Sequence, residues 1–277
     1  MWPPFRDAGN PPRPISEVRD VTRSPSPPLL RVLLIQVRDP GDPMADHERG
    51  CVNRRLDGRH VELQTHNVLT GELPPSAVER FDAVIFGGSG DYSVHDPRSE
   101  PWLGQLRGLL DRVLERGQPG FGLCFGHQLL GAHFGADVAT VDEHAELGTV
   151  DMRLTKQGVT DPIFGDLEED FHAHTGHSDH VSSVPPGVVV LATNETLETQ
   201  AFKVADRPFY STQFHPDLTG AEAVSRYLAY QASLARADDA ATLGASRFRP
   251  GADAATVLLG RFLDAVARER PGAATMA

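Results

Sequence analysis

Cysteine is scarce: the 277 residues hold only two, Cys51 and Cys124. Two are too few for a disulfide framework, so the fold must rest on its core, and a thiol is free to work in a reducing compartment. Positive charge is also in deficit, with 26 Lys and Arg against 38 Asp and Glu and a formal charge of -12. No broad cationic surface is left to neutralise phosphates, which argues against nucleic acid as a partner. Long apolar runs are missing as well. No stretch approaches the roughly 20 apolar residues of a membrane helix, and the opening Met1-Trp2-Pro3-Pro4-Phe5-Arg6-Asp7 lacks the apolar region of an export signal. The expectation is a cytoplasmic protein with no membrane association.

What is present is a chain 40% hydrophobic and 23% charged, enough to build a large α/β domain around a sizeable core. Residues 1–28 stand apart, holding eight of the 22 prolines and little to bury; this segment reads as disordered. Folded sequence begins at Leu29-Leu30-Arg31-Val32-Leu33-Leu34-Ile35, an apolar run of strand length. Further strands are expected at His60 to Val68 and at Phe81 to Phe86, the latter running into Gly87-Gly88-Ser89-Gly90. Apolar residues at helical spacing follow from Trp102 to Arg116, then a short stretch to Leu123, and a helix from Gly126 to Phe134 closed by Gly135. Alternating strand, glycine loop and helix is the mark of a parallel sheet flanked by helices. From Ala136 to Phe214 the texture changes to short strand candidates between Gly, Pro and Asp turns, which predicts a small mixed or antiparallel insertion. Helices are expected at Glu222 to Leu234 and, past an Ala/Asp/Gly/Arg-rich link, at Ala254 to Ala267. The apolar face of that last helix must dock on the protein's own core or on a partner. The expected organisation is therefore a disordered segment at 1–28, one domain at 29–236, and a linker with a terminal helix at 237–277.

The chemistry concentrates around Cys124. Gly122-Leu123-Cys124-Phe125-Gly126 has the form Gly-x-nucleophile-x-Gly, in which small flanking residues permit a sharp strand-to-helix turn. That turn places the thiol at a helix N-terminus, where exposed amides favour a thiolate and donate to an oxyanion. The bland alternative is a small buried hydrophobe. A thiolate attacking an amide needs a histidine to move protons and a third group to orient it. Gln213-Phe214-His215-Pro216-Asp217 offers both, with a carboxylate two residues beyond His215. Taken alone, though, His-Pro-Asp is more often a turn than a dyad. Gly88-Ser89-Gly90-Asp91 imitates a dinucleotide loop but lacks the third glycine. His172, His174, His177 and His180 form a tract without a second ligand pair at metal spacing, so it reads as substrate-loop and surface histidines and no metal is expected. Cys51 reads as a bystander at the edge of the first helix.

Together these segments resemble the class I glutamine amidotransferase family of the Cys-His-Glu type, in particular stand-alone members related to the glutaminase domain of GMP synthetase and to γ-glutamyl peptidases. The resemblance runs from about Leu30 to about Leu234. It rests on Gly87-Gly88-Ser89-Gly90, Gly122-Leu123-Cys124-Phe125-Gly126-His127-Gln128 and Gln213-Phe214-His215-Pro216, in the family's order. It implies a flavodoxin-like fold, Cys124 as nucleophile, His215 as general acid/base, and the amides of Gly88 and Phe125 as oxyanion hole. Gly90 and Gln128 would contact substrate, and the backbone of Ser178 and Asp179 would hold its α-carboxylate and α-amino groups. Asp217 stands where the family normally has Glu, so the orienting carboxylate is one methylene shorter.

The implied reaction hydrolyses the γ-amide of glutamine through a thioester, requires no cofactor, and passes ammonia to an acceptor or separate synthase. Two alternatives stand beside it. One is a free-standing hydrolase of γ-glutamyl peptides or amides, and the other is a catalytically silent binding or regulatory module, favoured only if Asp217 fails to orient His215.

Overall fold

The computed structural model describes residues 29–233 and 244–270. The expected disordered segment and part of the expected linker lie outside the described residues. The chain begins with β1 (Leu30–Val37), α1 (Pro43–Arg55), β2 (Val61–Asn67), β3 (Ala83–Ser89), α2 (Glu100–Glu115), β4 (Gly120–Leu123) and α3 (Phe125–His133). It continues through β5 (Val138–Thr140), β6 (Glu146–Leu154), the short α4 (Lys156–Thr160), β7 (Asp170–His177), β8 (Asp179–Val181) and β9 (Val188–Thr193). β10 (Ala201–Val204), β11 (Phe209–Thr212), α5 (Gly220–Ser233) and α6 (Leu258–Glu269) complete it.

Nine strands form one sheet in the order β2-β1-β3-β4-β11-β10-β9-β6-β7. The first five are mutually parallel, and every pairing from β11 outward is antiparallel. The expected α/β architecture with a parallel core is present. The antiparallel strands expected beside that core are there, and they continue the same sheet, because β11 offers one edge to β4 and the other to β10; among the described residues only β5 and β8 pair apart.

Both faces of the parallel half are covered, which is why its strands read as near-continuous apolar runs. Along β1, Leu33 and Ile35 face one core with Phe86, Leu106, Leu110 and Leu129. Val32 and Leu34 face the other, with Val52, Phe121 and Phe262. Local signals set the helix ends. α1 starts at Asp42, whose carboxylate accepts from Met44 N–H at 2.8 Å, has Pro43 in its first turn, and ends with Arg54 and Arg55 near its negative pole. The glycines around Cys124 are demanded by close approach: a Cβ on Gly126 would collide with the Phe86 carbonyl, and one on Gly122 would lie 2.7 Å from the Gly126 carbonyl oxygen.

The terminal helix packs on the protein's own core. Leu258, Leu259, Phe262, Leu263 and Val266 are buried in the cluster that includes Phe121 and Val52, with the rings of Phe262 and Phe121 meeting edge-on at 5.5 Å. Arg59 holds the helix from outside through a two-pronged pair with Asp264, both contacts at 2.7 Å. Phe262→Ala is expected to lower stability by about 3–5 kcal/mol, because the site is fully enclosed and collapses poorly. A denaturant titration that left the midpoint unchanged would show that this helix is not part of the core.

Candidate active site

The parallel pairing of β4 and β11 brings their C-terminal ends to the same edge of the sheet, and the two central groups follow them. Cys124 follows β4 directly, with its N–H bonded to the Thr212 carbonyl of β11 at 2.8 Å. Its φ of 49° and ψ of -97° make it the only non-glycine residue with positive φ among the described residues. Such a conformation is costly for an L-residue and marks a nucleophile elbow. Phe125 then opens α3; the His127 and Gln128 amides both close on the Cys124 carbonyl at 3.0 Å, which leaves those of Phe125 and Gly126 at the very start of the helix.

His215 lies three residues past β11, its amide held by the His174 carbonyl at 2.8 Å. Asp217 accepts from His215 Nδ1 at 2.9 Å, so the shorter carboxylate does span the distance. The segment is a turn and a dyad at once, since Leu218 N–H closes on the His215 carbonyl at 3.2 Å. The bond to Asp217 directs Nε2 away from the carboxylate, and the ring also interacts with the Cys124 thiol. Asp217 is fully buried, and its second oxygen accepts from Arg226 of α5 at 3.0 Å. Burial alone would raise its pKa; the charges of Arg226 and then His215 outweigh this and hold it well below the usual carboxylate range. For His215, burial lowers the pKa, but the Asp217 charge and hydrogen bond, together with Cys124, push it up to about 9.

An open cavity of about 750 Å³ surrounds Cys124 and His215. Gly90, Gln128, Ser178 and Asp179 all line it, so four of the residues implied as substrate contacts share its wall. Gln128 Nε2 donates to the Asp179 carbonyl at 2.8 Å, which ties α3 to the β7–β8 turn. Residues 247 and 248 also line the cavity: Arg247 accepts at its carbonyl from Thr149 N–H at 3.0 Å, and Phe248 is buried against Leu218 and Ala223.

Three expectations need correction. Gly88 N–H is not open to the cavity but donates to Glu48 Oε1 at 3.0 Å. Glu48 is fully buried and needs every donor it can reach, taking Arg38 at 3.2 Å and Gln36 at 3.0 Å as well. The histidine tract is mostly interior rather than on the surface. His174 bridges Thr149 and Asp253 at 3.0 and 2.9 Å, His177 pairs with Glu146 at 3.0 Å, and His180 contacts His144 at 3.2 Å. Of the four, only His172 keeps a largely accessible side chain, 44% exposed. Cys51 is buried inside α1, not at its edge, with Arg54 at 3.2 Å, and desolvation pushes its thiol up to about 11. No group of three or more His, Cys, Asp or Glu side chains suited to a metal occurs among the described residues. Gln213, whose Nε2 lies 3.6 Å from Cys124 Sγ, is adjacent in sequence to the expected base segment, whereas no local pattern marks Arg226 or Glu48.

A family model described as glutamine amidotransferase class-I matches residues 54–232. The chain belongs to the class I glutamine amidotransferase family. This class I amidotransferase is 33% identical over 155 residues to a glutamine-hydrolyzing GMP synthase subunit of Sulfurisphaera tokodaii, covering 56% of its own length and 77% of the relative's. Against the GMP synthase of Neisseria meningitidis serogroup C, identity is 26% over 170 residues, spanning 61% of this chain but only 30% of that protein. In three dimensions it superposes on a glutamine amidotransferase from Thermotoga maritima with a TM-score of 0.67 at 20% identity, covering 87% of this chain and 99% of the other. A glutamine amidotransferase from Methylobacillus flagellatus gives 0.60 at 21% identity, with 87% and 93% covered. These two likenesses show the shared fold. No helix among the described residues of this amidotransferase is long and apolar enough to cross a membrane.

The charge pair makes a pH-dependent contribution to stability. Because the His215 pKa is raised in the folded state, its stabilisation is complete below the ordinary value of 6.5 and is lost as pH rises through about 9. Melting temperatures of wild type should therefore fall across that interval relative to His215→Gln. Parallel curves for the two proteins would mean that His215 does not bind its proton more tightly when folded.

Proposed function

We propose that the chain hydrolyses the side-chain amide of glutamine through a covalent thioester on Cys124 and releases ammonia to a separate acceptor enzyme. The observation that carries this reading is Cys124 and His215 at the wall of an open cavity, with buried Asp217 bonded to His215 behind it and a helix N-terminus beside the thiol. Cys124 Sγ, as thiolate, attacks the amide carbon, and the resulting oxyanion takes the Phe125 N–H. Gly88 joins as a second donor only when Glu48 exchanges its bond to that amide. His215, as imidazolium, gives its Nε2 proton to the departing nitrogen, so ammonia leaves and the γ-glutamyl thioester remains. Water then loses a proton to the same nitrogen and attacks the thioester, expelling the thiolate and freeing glutamate. Asp217 holds the ring and its charge through both steps without taking a proton itself. Gly90, Gln128 and the backbone of Ser178 and Asp179 grip the amino-acid end of the substrate. The relatives named as glutamine-hydrolyzing GMP synthase subunits support both glutamine as substrate and a separate synthase as acceptor.

A second reading, cleavage of γ-glutamyl peptides or amides, draws on one feature. The cavity, at about 750 Å³, is lined in part by Arg247 and Phe248, which follow the matched family segment in sequence. That volume lies within the usual range for drug-sized ligands, which leaves room for a leaving group larger than ammonia.

A substrate panel on the purified protein separates the two: glutamine, γ-glutamyl dipeptides and γ-glutamyl amines, each with hydroxylamine present to capture the acyl-enzyme as the hydroxamate. Cys124→Ala should lose at least about 10³-fold in turnover on whichever substrate is used, while Cys51→Ala retains activity. Hydroxamate formation by Cys124→Ala at the wild-type rate would remove Cys124 from the mechanism.

A further inference from the structure

Asp217 meets His215 at an ordinary hydrogen-bond distance of 2.9 Å, and one side chain from the helix that follows holds its other oxygen. Arg226, in the middle of α5, is buried with 6% of its surface exposed. Its Nη2 donates to Asp217 Oδ2 at 3.0 Å while His215 Nδ1 takes Oδ1 at 2.9 Å, so the carboxylate is fixed at both oxygens. Nη1 of the same guanidinium lies 3.3 Å from His215 Nδ1. Since that nitrogen donates to Asp217, the contact is a neighbouring charge rather than a second hydrogen bond. Arg226 Nε has no hydrogen-bond partner among the described residues, so the group directs its bonding to the dyad and gives none to the helix surroundings. The other charged or ionisable neighbours are His47, Glu48 and Cys51 on α1, Arg38 after β1, and Glu222 and Tyr230 on α5. Arg38 is committed to Glu48 and Tyr230, and Glu222 to Arg54 and Arg55. Arg226 is thus the guanidinium bonded to Asp217.

We infer that Arg226 is a positioning residue for the reaction proposed above: by fixing and charge-balancing the second oxygen of Asp217, it lets an aspartate orient His215 where the resemblance leads one to expect glutamate. An aspartate side chain has one fewer bond to rotate than glutamate and cannot extend to follow the imidazole. Its approach to Nδ1 must therefore be set from behind. A guanidinium suits this task because it stays charged, donates in a fixed plane, and costs less to desolvate than an ammonium.

The test is a double-mutant cycle on the full chain: Arg226→Gln, Asp217→Asn and the pair together, with Arg226→Lys as the conservative variant. Arg226→Gln should lower kcat by about 10- to 100-fold with KM little changed, as expected for a misplaced catalytic group. Asp217→Asn should lower kcat further, and the double variant should be no worse than Asp217→Asn alone. Arg226→Lys should recover part of the loss, since it restores the charge but not the fork. Losses that multiply in the double variant, or a rise in KM at constant kcat, would reduce Arg226 to a structural salt bridge. If Arg226→Gln does not fold, Arg226→Lys decides alone: lowered kcat at unchanged KM supports the inference, and wild-type kcat overturns it. The same cycle is read without substrate as the rate at which iodoacetamide alkylates Cys124, followed on the peptide that contains it. The rate should fall in both single variants and no further in the double. Should wild type hydrolyse no amide at all, the reaction is wrong, while the alkylation cycle still judges Arg226.

Discussion

Asp217 has been withdrawn from water on every side, and a carboxylate in that position keeps its charge only where other groups replace the lost hydration. His215 and Arg226 do so from opposite directions. Much of the surrounding architecture follows from this requirement. The turn after β11 must deliver the imidazole, α5 must pack closely enough to deliver the guanidinium, and the His174 carbonyl must hold the His215 backbone between them. His174 is anchored in turn by Thr149 and by Asp253, which also takes the Gly220 amide that starts α5. The C-terminal segment thereby contributes to the placement of His215 as well as to the cavity wall.

A second buried carboxylate, Glu48, solves the same problem with different donors, and its solution touches the reaction. Arg38, Gln36 and the Gly88 amide satisfy it, and Arg38 also meets Tyr230 of α5. The glycine loop is therefore connected to α1, β1 and α5 through a network whose members are all polar and mostly buried. In such a network, a bond released at one point has to be replaced at another.

The parts of the site that lie in contiguous sequence are legible there. Glycines flanking Cys124 announce the turn because backbone atoms approach too closely for any side chain. Asp217 stands two residues from His215, so one loop carries both. The apolar spacing from Leu258 to Val266 marks the terminal helix, and the core covers that face. What stays hidden has physical reasons. Arg226 and Glu48 sit on helices among other charged residues, and only burial distinguishes them from solvated ones. The buried histidines of β7 look like surface or loop residues because their partners lie far along the chain, as Asp253 does for His174 and Glu146 for His177. The antiparallel half of the sheet shows short strands but no sign that they join the parallel half, since pairing partners are a property of edges rather than of segments.

Thiol and imidazole follow two hydrogen-bonded neighbouring strands about 4.8 Å apart, so the sheet brings their segments to one edge, and the turn after β11 sets the remaining step to the imidazole. The sheet thus fixes where both segments start. The cavity beside it, by contrast, is assembled from segments far apart in the chain, including the glycine loop, the β7–β8 turn, α5 and residues 247 and 248. Such a division lets the shape of the cavity drift as those segments change, while the strands that carry Cys124 and His215 stay in register. The same scaffold then accommodates cavities of different shape around one thiol and one imidazole.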